Sequence, residues 1–159
     1  MKICDTVNSK LYKNDRAILH SDCNCFYASV ECLLNPNIRD LPVAVSGDAE
    51  NRHGIILAKN EEAKKYNIKT GEAIWQAKKK CPQLLTVPAR LDVYKKFSDK
   101  VRRIYSDYTD MVEPFGLDEA WLDISEDYKN DALTIAKEIS QRVKDEIGIT
   151  VSIGVSFNK

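Results

Sequence analysis

The sequence predicts an α+β fold of ferredoxin-like order, a split βαβ unit carrying a small inserted α/β lobe. Three observations carry that prediction. The outer segments run strand, helix, then strand, strand, helix, strand. A stretch of about residues 35–87, with short strands and short helices of its own, interrupts them. The length, 159 residues, suits one compact domain with a small inserted lobe.

The elements follow in order. "RAILHSDC" (16–23) is apolar and leads into a polar end, as a strand does. "CFYASVECLLNPN" continues it with Phe26, Val30, Leu33 and Leu34 at helical spacing, closed by Pro36. "LPVAVSG" (41–47) and "GIILAKN" (54–60) read as short strands. "EEAKKYNIKTGEAIWQAKKKCP" holds two short helices broken at "NIKTG", with Pro82 as the stop, and "LLTVP" is a further strand. A long amphipathic helix follows in "RLDVYKKFSDKVRRIYSDYT", with Val93, Phe97, Val101, Ile104 and Tyr108 on one face. "DMVEPFG" and "EAWLDIS" form a β-hairpin through "GLD". "NDALTIAKEISQRVKDEIG" is a helix capped by Asn130 or Asp131 and ended by Gly148, before a last strand in "ITVSIGVS".

Composition narrows the function classes. The apolar fraction of 43% builds a core and the 30% of charged residues a wet surface. The first fifteen residues hold no apolar run, and no stretch reaches the roughly 20 apolar residues that span a bilayer. A cytosolic protein without membrane partners is expected. Five cysteines, at 4, 23, 25, 32 and 81, include no CxxC pair, which argues against a disulfide framework or a zinc knuckle and for reduced thiols. Net charge is zero, but its distribution is uneven: residues 59–103 carry 13 Lys/Arg against 5 Asp/Glu, and residues 104–159 carry 5 against 12. A basic block can meet a polyanion while an acidic centre holds cations, or it can be a set of solvated helices.

Three carboxylates carry the chemistry. Asp22 ends the first strand, and Asp118 and Glu119 sit side by side at the hairpin turn. In a ferredoxin-like sheet the first and third strands are central neighbours, and antiparallel pairing brings the end of one to the start of the other. Three acids so gathered repel unless a cation lies between them. Oxygen donors select a hard ion such as Mg²⁺, and two such ions about 4 Å apart form the clamp of phosphoryl transfer. Surface acids in a turn are the alternative. Phe26 and Tyr27 open the following helix, as core aromatics or as a ring pressed on a nucleotide sugar. Lys64 and Lys159 are surface lysines able to meet phosphate if they face the acids. His20 and His53 are isolated and read as structural or exposed. Ser21 and Ser46 lack a His/Asp arrangement, and "GDAENRHG" lacks P-loop spacing.

Four motifs then resemble one family. "DCNCFYASVE", "GIILAKNEEAKKYNIKTGEAIWQAKKKCP", "GLDEAWLD" and "TVSIGVSFNK" are similar, in this order, to segments of the Y-family, translesion DNA polymerases, and most to their DNA polymerase IV branch. The resemblance implies a polymerase palm over residues 1–34 and 88–159 and a fingers lobe over 35–87. It implies Asp22, Asp118 and Glu119 as catalytic metal ligands for two Mg²⁺, with the Cys23 carbonyl as a further ligand. Cys25 and Phe26 would lie at the triphosphate, Tyr27 would be the steric gate against a ribose 2′-OH, and Lys64 and Lys159 would contact phosphates. Primer–template DNA and a dNTP are the implied partners. Thumb and little-finger domains, and a C-terminal peptide for a sliding clamp, are expected outside this stretch, which alone would be a weak catalyst.

The chain departs from the family pattern where many members have Tyr and Arg in the fingers helix: here stand Glu61 and Lys64. Gly116 replaces the usual Ser before the acids. Two rival readings are a nucleotidyl cyclase on the same palm, which would lack the basic insertion, and a non-catalytic palm module, which would have no need of the three acids.

Overall fold

The computed structural model describes residues 16–47, 54–128 and 131–159. Cys4, His53, Asn130 and most of "GDAENRHG" lie outside them. The chain divides into two compact units, residues 1–24 with 95–159, and residues 25–94.

The first unit is built on a four-stranded sheet. Strand β1 (Ile18–Cys23) alternates, its Leu19, Ser21 and Cys23 buried and its His20 and Asp22 on the other face. The hairpin β5 (Val112–Phe115) and β6 (Glu119–Asp123) and the last strand β7 (Val151–Ser156) complete it in the order β5-β6-β1-β7. All its pairings are antiparallel. The first and third strands of the outer set are therefore central neighbours, as the ferredoxin-like order requires. Two helices cover the buried face: α4 (Leu91–Ser106), which starts in the other unit, and α6 (Ala132–Arg142). Their side chains Val101, Ile104, Tyr105, Ile135 and Ile139 join Leu19, Leu122 and Val151 in the core. Each such burial contributes on the order of 1.5–3 kcal/mol.

The second unit holds helix α1 (Phe26–Leu34) and a three-stranded sheet, β3-β2-β4, made of β2 (Val43–Ser46), β3 (Ile56–Lys59) and β4 (Leu85–Pro88). Strands β2 and β4 run parallel. Two short helices, α2 (Glu61–Lys64) and α3 (Ile74–Lys80), supply Ala63 and Ala77 to a small core with Ala44, Ile56, Ile68, Cys81 and Leu84. Asn60 caps α2, its Oδ1 accepting from the Ala63 amide at 2.9 Å.

The structure adjusts three local expectations. The expected Val101, Ile104 and Tyr108 are buried along α4 and just after it, with Tyr105 beside them, but in its first two turns Tyr94 and Ser98 are buried while Val93 and Phe97 are only half-buried. Only this first part is turned by one residue, where the Tyr94 hydroxyl finds Glu31. Asp131 stands at the N-cap of α6 but makes no capping hydrogen bond. The helix ends in a π-helical turn, Val143–Ile147, which Gly148 closes at φ 88°. A short helix α5 (Ser125–Tyr128) after β6 was not legible in the pattern. No helix of the described residues is long and apolar enough to cross a membrane.

Candidate active site

The site begins with register. In the antiparallel β1/β6 pair Asp22 stands opposite Glu119 and His20 opposite Trp121. The Cys23 amide donates to the Asp118 carbonyl at 2.9 Å, so the turn residue is tied to the end of β1. Three acids, 96 and 97 positions apart in sequence, are thereby brought to one end of the central strand pair. Period-two alternation puts Asp22 and Glu119 on the face away from the helices.

The neighbouring groups show what this arrangement costs. Burial raises the Asp118 carboxyl above the ordinary Asp range, its own backbone amide pulls it back, and the Glu119 charge adds to the rise. Cys23 is buried, and its thiol is pushed up to about 12, by burial first and then by the charges of Asp118 and Asp22. Its side chain lies on the buried, helix-covered face of β1 while Asp22 is on the other, and the side-chain donors of the site are hard oxygens. Among the described residues no three His, Cys, Asp or Glu side chains are gathered tightly enough to hold an ion as they stand. The Glu119 carboxylate is engaged by His20 Nε2 at 3.1 Å. The donor chemistry of Asp22, Asp118, Glu119 and the Cys23 carbonyl nonetheless fits a magnesium ion.

The other candidates divide between the units. Lys159, beyond the end of β7, makes an ion pair with Glu113 of β5. By register β7 runs from beside Cys23 towards Ile18, so the tail leaves the sheet at the end opposite Asp22. In the second unit Cys25 precedes α1 in the left-handed region, φ 51°, and Phe26 is buried. Tyr27 is half-buried and stacks on Tyr94, with centroids 4.3 Å apart and planes 12° from parallel. Lys64 Nζ donates to Glu61 Oε1 at 2.6 Å, and Cys25 Sγ donates to the same oxygen at 3.3 Å.

Several supporting roles escaped sequence reasoning. His20 stacks on Trp121 at 4.0 Å between centroids while it holds Glu119. Its place two residues before Asp22, on the same strand face, was the available signal. The Ser21 and Tyr105 hydroxyls share a buried hydrogen bond of 2.7 Å behind the site. Arg102 Nη2 donates to the Gly116 carbonyl at 2.6 Å, pinning the turn that presents Asp118. Tyr94 donates to the buried Glu31 at 2.7 Å, and Arg90 clasps the same carboxylate through Nε at 3.0 Å and Nη2 at 2.6 Å.

A split βαβ sheet with paired acids at the end of its central strands defines the class of palm-type domains. Residues 21–159 match the impB/mucB/samB family, and the chain belongs to that family, the Y-family DNA polymerases. A DNA polymerase IV of Acetivibrio thermocellus is 60% identical over 146 residues, 91% of this chain and 37% of its own length. A Y-family DNA polymerase chimera of Dbh and Dpo4 superposes with a TM-score of 0.85 at 29% identity, over 90% of this chain and 43% of that one. An insertion ternary complex of Dbh DNA polymerase gives a TM-score of 0.84 at 29% identity, with the same coverage. The chain thus spans well under half the length of these relatives.

Proposed function

We propose that these residues are the palm and fingers of a DNA-directed DNA polymerase of the lesion-bypass class. It extends a primer 3′-OH by attack on the α-phosphate of a dNTP. A new O–P bond forms, the bond to the bridging oxygen breaks, and pyrophosphate leaves. The observation that carries the reading is the register of Asp22 against Glu119, with Asp118 tied to Cys23, in a member of this family. Residues 1–34 and 88–159 take the palm role and 35–87 the fingers role, the compact units dividing inside the flanking segments at 24/25 and 94/95.

Asp22, Asp118 and Glu119, with the Cys23 carbonyl, would hold two Mg²⁺. When bound, magnesium stabilises charge developing on the phosphate and lowers the pKa of the attacking hydroxyl. The protein's own part is positioning. The central strand pair fixes the carboxylates, Tyr27 offers a flat ring to the sugar and excludes a 2′-OH, and Phe26 presents its backbone amide to the triphosphate beside Cys25. Lys64 supplies an ammonium group to the phosphates; Lys159, which leaves the sheet at the end away from Asp22 and pairs with Glu113, is not given that part. Primer–template DNA is the macromolecular partner, the basic block of residues 59–103 favouring a polyanion. A sliding clamp would be met through segments beyond these residues, and a cytosolic location suits the reading.

The test is primer extension with Mg²⁺ by the full-length chain. Asp118→Ala or Glu119→Ala abolishes extension while the thermal transition stays within a few degrees. Extension retained at the parental rate removes the carboxylates from the mechanism, and with them this reading.

A further inference from the structure

Glu61 sits where an anion is wanted. Its Oε1 accepts from Lys64 Nζ at 2.6 Å and from Cys25 Sγ at 3.3 Å, so one carboxylate oxygen joins the start of α2 to the residue before α1. Both donors belong to the set assigned above to nucleotide phosphates, and all three residues lie in the second unit. A phosphate oxygen asks of these donors what the carboxylate oxygen already takes: an ammonium proton and a neighbouring weak donor. The Lys64 ammonium is held charged, chiefly by the Glu61 hydrogen bond.

We propose that Glu61 is an internal stand-in for the phosphate, occupying the Lys64–Cys25 seat in the free protein and displaced by the incoming nucleotide. This rests on the assignment of Lys64 as a phosphate contact and adds to it a competitor built into the same helix. The competition has two parts. The Lys64–Glu61 pair must open before Lys64 can turn to a phosphate, and the released carboxylate then stays near a polyanion and repels it. Both parts raise the nucleotide concentration needed for half-saturation. Both are modest, because Glu61 and Lys64 are largely exposed and solvent screens them. Glu61 is a specificity-setting residue for phosphate affinity rather than a catalytic one. Its effect passes through Lys64.

The experiment is steady-state single-nucleotide insertion by the full-length chain, with Glu61→Gln, Lys64→Ala and the double variant. Glu61→Gln lowers the KM for dNTP by about three- to fivefold, the scale of an exposed ion pair. Lys64→Ala raises KM by roughly tenfold, as loss of a charge-assisted phosphate contact does. In the Lys64→Ala background most of the Glu61→Gln gain disappears, the non-additivity expected of residues that act as a pair. If Glu61→Gln leaves KM unchanged or raises it while Lys64→Ala raises it, the stand-in is overturned and the phosphate role of Lys64 survives. If Lys64→Ala leaves KM unchanged, both fall together. A full Glu61→Gln gain without Lys64 overturns the displacement and leaves simple repulsion.

Discussion

Tyr27 shows how much of a side chain's role lies in what stands behind it. Its ring lies flat on Tyr94, whose hydroxyl is bound to Glu31 at 2.7 Å, so the stack has little freedom to swing aside. As the proposed steric gate such a ring would discriminate by shape, and shape discrimination in a pocket is typically worth one to two orders of magnitude. Tyr27→Ala should therefore raise the ratio of ribonucleotide to deoxyribonucleotide insertion by at least about tenfold. Competitive insertion of rNTP and dNTP measures it, and an unchanged ratio would reduce Tyr27 to a packing residue. The placement of Asp22, Asp118 and Glu119 at one end of the strand pair, and of Tyr27 at the start of α1, was legible because motif and strand period carry it within a few positions. Glu31, Arg90 and Tyr94 were not, since Glu31 and Arg90 meet across 59 positions and no local spacing encodes that meeting. His20 was visible but looked idle, because its partner Glu119 is supplied by the other strand.

At the scale of elements, helix positions were legible and helix faces less so. The run Val93, Tyr94 and Phe97, Ser98 offers two adjacent stripes. Apolarity favours the first, while the Glu31 partner of the Tyr94 hydroxyl selects the second. The start of α4 is fastened to α1 by the Arg90–Glu31 clasp. Arg90→Ala leaves the buried Glu31 carboxylate with Tyr94 as its remaining clasping partner of this set. The expected cost is about 2–4 kcal/mol, below the cost of a fully buried pair because Arg90 itself is partly exposed. Chemical denaturation of wild type and variant at neutral pH reads it, and a difference below about 0.5 kcal/mol would make the clasp ornamental. The β5–β6 turn has its own logic. Gly116 takes φ 72°, and an added Cβ would come 3.4 Å from Asp118 Oδ1. The departure from Ser at this position thus suits a left-handed turn that leaves the acid its room.

For the molecule as a whole, stability against acid depends in part on a network at the far end of the sheet. The Asp123 carboxylate accepts from the Ser125 amide at 3.1 Å and its hydroxyl, and from Arg16 Nη2 at 2.9 Å. The Ser125 hydroxyl in turn accepts from the Ala17 amide at 2.8 Å. Burial alone would raise the Asp123 pKa, but the Ser125 and Arg16 bonds outweigh it and hold the carboxyl below its ordinary range. A carboxyl depressed in the folded state stabilises above its unfolded pKa, roughly 3.9, and loses that contribution as pH falls through the folded value. Asp123→Asn should cost about 1 kcal/mol at pH 7 and progressively less in acid, where the two proteins converge. Melting curves across that range decide it, since a pH-independent gap would mean the network acts by packing alone.

Strand β1 is paired along its length on both sides, to β6 and to β7. A change of residue there alters one side chain, but a change of length alters every one after it. A single residue inserted or deleted within β1 would exchange its two faces, turning Asp22 inward among Val101 and Tyr105 and lifting a neighbour into its place. The first strand is thus closed to insertions and deletions, and the carboxylate keeps its address by counting.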